Sequence, residues 1–126
     1  MADLRVGELL LSQDDLTKKV NTKRGIFTLK MPDPMVRKAI IRSISNAIDR
    51  APLESIPAMD YLYVKATETL KYVVTEYPEW WEGADKCMDD DLILELYDEF
   101  LKFENDFRRR VRGNRPDGRG KSSKPA

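Results

Sequence analysis

The chain holds no histidine and a single cysteine, Cys87. Without an imidazole there is no Ser-His or Cys-His pair to activate a nucleophile. One thiol cannot close an intramolecular disulfide or build a multi-cysteine zinc site. A lone cysteine suits a reducing compartment, so the protein is expected in the cytoplasm. Long hydrophobic runs are missing too. Stretches such as Leu9-Leu10-Leu11 and Val73-Val74 fall far short of a bilayer span. The first residues lack the charged-then-apolar pattern of a signal peptide. No membrane partner is expected.

What the sequence does have is charge. It carries 22 basic and 22 acidic side chains in 126 residues, beside a hydrophobic fraction of 41%. One globular domain suits that length and composition. The zero net charge conceals a split along the chain. From residue 108 onward, Arg108, Arg109, Arg110, Arg112, Arg115, Arg119, Lys121 and Lys124 face only Asp117, giving 8 − 1 = +7. Residues 1–107 hold 14 basic and 21 acidic side chains, or −7. The pattern is an acidic body with a basic tail.

Periodicity predicts a mainly α protein, a small bundle of three helices entered through an N-terminal β-hairpin or extended segment. Residues 1–33 read as extended. In "GIFTLKMP", Phe27, Leu29 and Met31 alternate with Ile26, Thr28 and Lys30, a half-buried strand. "NTKRG" supplies turn residues and "LTKKV" a partner strand. A helix over 34–50 follows. Asp33 suits its N-cap and Pro34 its first position, and Val36, Ile40, Ile44, Ala47 and Ile48 form its apolar stripe. A second helix is expected over 57–77 with the stripe Met59, Leu62, Ala66, Leu70, Val73 and Tyr77, ended by Pro78. The third, over 90–111, carries Ile93, Leu96, Phe100, Phe103, Phe107 and Val111 at three- and four-residue steps. Asp89, Asp90 and Asp91 sit at its positive end and Arg108 to Arg110 at its negative end. Residues 113–126 have no apolar anchor and are expected to be a disordered basic tail.

None of the motifs that carry chemistry survives inspection. "GRGKSS" suggests a phosphate loop, but Arg115 stands where the pattern needs glycine, and no strand or helix flanks it. The "DDD" run fits helix capping better than divalent-metal ligation. "DKCMDDD" lacks the spaced ligands and bend glycine of a calcium loop. Cys87 has Lys86 beside it but no base, and reads as a small filler residue. No metal, no cofactor and no catalytic residue is assigned, and a non-enzymatic role is expected. Arg108, Arg109, Arg110 and Arg112 offer at most salt-dependent, non-specific attraction to nucleic acid. The acidic body opposes it, and no nucleic-acid reading module is recognisable.

The remaining feature is "VVTEYPEWWEG", two adjacent tryptophans in an acidic setting. One indole is expected to fold back as a core lid, since a single Trp buries a large apolar area. The other is expected at the surface, as an anchor of the kind enriched at interface hot spots.

In order, "KRGIFTLKMPDP", a helix, "ETLKYVVTEYPEWW", an acidic gap and "LILELYDEFLKFENDFRRR" resemble the tail assembly chaperones of long-tailed bacteriophages, over roughly residues 20 to 112. The resemblance implies a strand region leading into a helical bundle, and a partner that is the tape-measure or tail tube protein. It supplies no site residue of defined function. Such a chaperone needs apolar helix faces and a charged exterior. Surplus apolar positions lie off the stripes at Ile41, Tyr61, Tyr63, Val64, Tyr72, Val74 and Tyr97. The expected partner-binding residues are Tyr72, Tyr77, Trp80, Trp81 and Tyr97. Completion of a homo-oligomer interface is the competing use of that surface. A structural virion adaptor of the neck or connector type is the alternative function, and a nucleic-acid-binding accessory protein the third.

Overall fold

The computed structural model describes residues 4–6, 9–11, 13–49 and 51–113. Residues 114–126, nearly all of the expected basic tail, lie outside that set. Five strands and three α-helices follow in the order β1 (Leu4–Val6), β2 (Leu9–Leu11), β3 (Thr17–Thr22), β4 (Gly25–Lys30), α1 (Pro34–Ala47), α2 (Ala58–Val73), β5 (Val74–Glu76) and α3 (Asp90–Gly113). The architecture is mainly α. Two antiparallel sheets accompany the helices, a β1-β2 pair and a three-stranded sheet of order β3-β4-β5.

The β3-β4 hairpin forms where alternation and turn chemistry predict it, with Thr17 opposite Lys30 and Thr22 opposite Gly25. Val20, Phe27 and Leu29 point into the core, with Phe27 and Leu29 fully enclosed. Helix α1 begins as expected. The Asp33 carboxylate accepts from the Val36 amide at 2.9 Å, and Pro34 opens the first turn. It stops at Ala47, short of the expected residue 50, because Asp49 adopts a left-handed conformation with φ 56° that a right-handed helix cannot continue.

The larger correction concerns 57–77. Helix α2 ends at Val73, and Val74–Glu76 is a strand on the edge of β4. Leu29 opposes Val74 and Thr28 opposes Glu76. The Thr28 hydroxyl donates to the Glu76 carboxylate at 2.8 Å, and the Thr75 hydroxyl reaches the Thr28 carbonyl at 3.4 Å. β-Branched Val74 and Thr75 lose little in an extended backbone, and an exposed strand edge nearby supplies their partners. Tyr77 therefore leaves the expected stripe, at 53% exposure, and Met59, in the first turn of α2, stands outside it as well at 63%. On α1, Ala47 is exposed as well.

Helix α3 runs two residues beyond the expected 111. Asp89 caps it, its side chain accepting from the Leu92 amide at 3.2 Å and its carbonyl from Ile93 at 3.2 Å. Ile93, Leu96, Phe100 and Phe103 are buried and Phe107 packs at the margin. One continuous core runs from Leu16 through Phe27, Leu29, Ile40, Ala66, Leu70 and Trp81 to Phe103. Ion pairs fasten α3 to the elements around it: Lys18 of β3 to Glu99 at 3.1 Å, Arg37 of α1 to Glu104, and Asp15 to Arg110 at 2.9 Å. Among the described residues no helix is long and apolar enough to cross a membrane.

Candidate functional site: an aromatic corner

After β5 the chain turns at Pro78, with the Trp81 amide donating to the Pro78 carbonyl at 3.0 Å. The turn lays both indoles against the β3-β4 hairpin. Phe27, which is fully enclosed, meets Trp81 edge-on at 5.0 Å between centroids and Trp80 at 6.2 Å, and the two indoles meet each other at 5.8 Å. Such edge-to-face contacts set positive ring edges against negative faces. Trp81 keeps only 7% of its surface exposed, whereas Trp80 keeps 47%. The indole N–H of Trp80 donates to the Arg24 carbonyl at 3.0 Å. Trp80 is thus fixed in orientation while its outer surface stays open.

Gly25, at the start of β4, makes this seating possible. A Cβ placed there would lie 2.4 Å from the Pro78 Cγ, and its φ is +134°. Only glycine combines that backbone with so close an approach.

Two concavities flank the corner and share Glu82. The larger, an open groove of about 670 Å³, is lined by Arg24, Trp80, Glu82, Lys86, Cys87, Met88 and Asp89. Arg24 bridges to Asp89 at 2.9 Å across it. The second lies against Tyr77, Trp81 and the end of α2. The surroundings are strongly negative: residues 76–91 hold seven acidic side chains and one basic, 1 − 7 = −6.

The expected partner-binding residues separate into two groups. Trp80 lines the larger concavity and Tyr77, 53% exposed, the second, and Tyr72 is 41% exposed near the end of α2. Trp81 is a core residue and leaves the accessible set. Tyr97 is a partly buried side chain packed against the core, and burial, with the nearby Glu104 charge, pushes its hydroxyl above the ordinary 10.0. It is not part of the corner. Of the surplus apolar positions, Ile41 is 64% exposed, while Tyr61, Tyr63, Val64 and Val74 are partly covered. Sequence reasoning missed Ile26 and Met88, at 56% and 94% exposure. It also missed Arg24, whose carbonyl orients Trp80. Their signal was faint, a bulky apolar residue on the outward register of a strand and another in an acidic loop.

The basic residues are largely engaged in the fold. Arg108 pairs with Glu104 at 3.5 Å, Arg109 with Asp106, and Arg110 with Asp15 at 2.9 Å. Arg112 is exposed. Among the described residues no cluster of three or more potential ligands could hold a metal ion. The Cys87 thiol, partly buried, lies 3.8 Å from the Asp89 carbonyl.

No family model, curated protein or solved structure matches this chain.

Proposed function

We propose that this chain is a non-enzymatic binding protein acting as a tail assembly chaperone of a long-tailed bacteriophage. It would hold the tape-measure or tail tube protein in the cytoplasm of the infected host. One observation carries this reading. A filled core coexists with large apolar side chains left outside it: Trp80, Tyr77, Tyr72, Ile26, Met88, Met35, Met59 and Ile41. An oriented, half-open Trp, with an exposed Tyr three positions before it in the chain, is residue chemistry enriched in protein-binding hot spots. The exposed methionines add adaptable surface suited to several partner conformations.

Co-expression with the products of neighbouring genes, followed by pull-down, tests the proposal. Trp80→Ala is expected to abolish capture at a cost of about 1–2 kcal/mol in stability, since it deletes one hydrogen bond and a partly exposed ring. Trp81→Ala is expected to cost about 3–5 kcal/mol by opening a core cavity. Capture that survives Trp80→Ala and Tyr77→Ala together would refute a role for the corner. Recovery of the protein in purified particles at fixed copy number would favour the virion adaptor instead.

A further inference from the structure

We propose that the free edge of β3 is a docking site for an extended, acidic segment of a partner protein, which joins the sheet as an added strand beside Lys19 and Asn21. The edge shares no residue with the Trp80 corner. Its test uses a synthetic peptide, so it stands or falls apart from the chaperone reading.

The register of the hairpin fixes which groups this edge offers. The Met31 amide donates to the Leu16 carbonyl at 2.8 Å, one step beyond the Thr17–Lys30 pair. In an antiparallel ladder, hydrogen-bonded pairs alternate with non-bonded ones. The bonded positions are therefore Leu16 and, on β3, Lys18, Val20 and Thr22. Lys19 and Asn21 turn their N–H and C=O groups away from β4. β3 lies at the end of its sheet. Among the described residues no other backbone hydrogen bond reaches Lys19 or Asn21, and both residues are exposed. Donors and acceptors thus stand in line at an open edge, a template for an added strand.

Charge and shape choose the occupant. Residues 17–30, the whole hairpin, hold five basic side chains and no acidic one. Lys19, Lys23 and Lys30 are exposed and form no ion pair among the described residues. The only carboxylate on the sheet, Glu76, lies on β5, two strands from this edge, and accepts from the Thr28 hydroxyl. Lysines on an edge oppose pairing with a second β3, which would crowd two basic hairpins together. The chain's own segment 114–126 is basic as well. An acidic strand from elsewhere is the complement. On the side facing α3, a groove of about 540 Å³ runs along the edge, with Phe103 in its lining beside Lys18, Asp106, Arg109 and Arg110. Those charges are already matched, Lys18 by Glu99, Arg109 by Asp106 and Arg110 by Asp15. Successive side chains of a strand face opposite sides. Those entering the groove are accordingly uncharged, and those between them are Asp or Glu, beside Lys19.

Fluorescence anisotropy of the full chain with a labelled heptapeptide alternating Glu and Val reads the proposal. Saturable binding is expected, about tenfold tighter than that of the Lys-Val counterpart. Two further peptides carry N-methyl groups on the Glu nitrogens or on the Val nitrogens. Only one of these sets can face β3, so one form should bind about tenfold more weakly than the other. Asn21→Pro removes an outward N–H while leaving the β3-β4 ladder intact, and Lys19→Glu reverses the charge. Each should weaken the Glu-Val peptide about tenfold. Should Asn21→Pro fail to fold, the N-methylated peptides decide on the unaltered chain. Absence of saturable binding, or equal affinity of the two N-methylated forms, would overturn the proposal. So would a dimer of the chain alone that Asn21→Pro dissociates, which gives the edge to a second copy. Displacement of the peptide by a single-stranded oligonucleotide would overturn it in favour of nucleic acid.

Discussion

Gly25 and Pro78 show how much of the corner depends on single atoms. Gly25→Ala forces a Cβ onto the Pro78 ring at 2.4 Å in a backbone with φ +134°. The expected cost is about 2–4 kcal/mol, strain and overpacking together, read as a lowered urea midpoint. Gly83 has a similar φ of +129°, but a Cβ there meets only an Asp85 side-chain oxygen at 3.0 Å. That flexible carboxylate can move aside, so Gly83→Ala should cost less, about 1–2 kcal/mol. Equal losses at the two glycines would show that the Gly25–Pro78 approach is not what seats the turn. The two tryptophans make a parallel contrast. Adjacency alone predicts that they diverge, one inward and one outward, but it cannot say which. That choice was made by Phe27 and the Arg24 carbonyl, both more than fifty positions away in the chain.

At the scale of elements, local rules and distant pairing part company. Helix α3 was legible almost to the residue, because a cap, a long apolar stripe and terminal charges all agree on it. The same holds for the β3-β4 hairpin, whose alternation and turn lie within fourteen consecutive positions. β5 was not legible. Its three residues continue the helical pattern of α2, and only the edge of β4, from a part of the chain far upstream, draws them into a strand. β1 and β2 fall in the stretch read as extended, but their pairing with each other was not legible, since the Leu9-Leu10-Leu11 run shows no alternation to mark a register. Between helices, Glu104 is the tie to test. Its largely covered carboxylate holds Arg37 from the first turn of α1 and Arg108 one turn along α3. Glu104→Ala should lower stability by about 1–2 kcal/mol, moderated because the Arg37 side chain is 36% exposed and can be hydrated. A double-mutant cycle with Arg37→Ala should show clear non-additivity. Strict additivity would mean that the pair contributes nothing.

For the molecule as a whole, alkaline pH probes the packing of α3 against its neighbours. Burial raises the Tyr97 hydroxyl above 10.0, so between the unfolded and the folded pKa the native state binds more protons than the unfolded chain. Stability is then fully present below pH 10.0 and falls as pH rises through the folded value. Tyr97→Phe should flatten part of that decline while leaving stability near neutrality almost unchanged. An identical alkaline slope in the two proteins would show that Tyr97 is well solvated. The bond from Trp80 to the Arg24 carbonyl spans 56 positions, and the Gly25–Pro78 contact spans nearly as many. Closing so long a loop carries an entropic cost that the packed hairpin, α1 and α2 help to offset. An incompletely folded chain therefore has no oriented indole to offer, and stickiness of this kind arrives only with maturity.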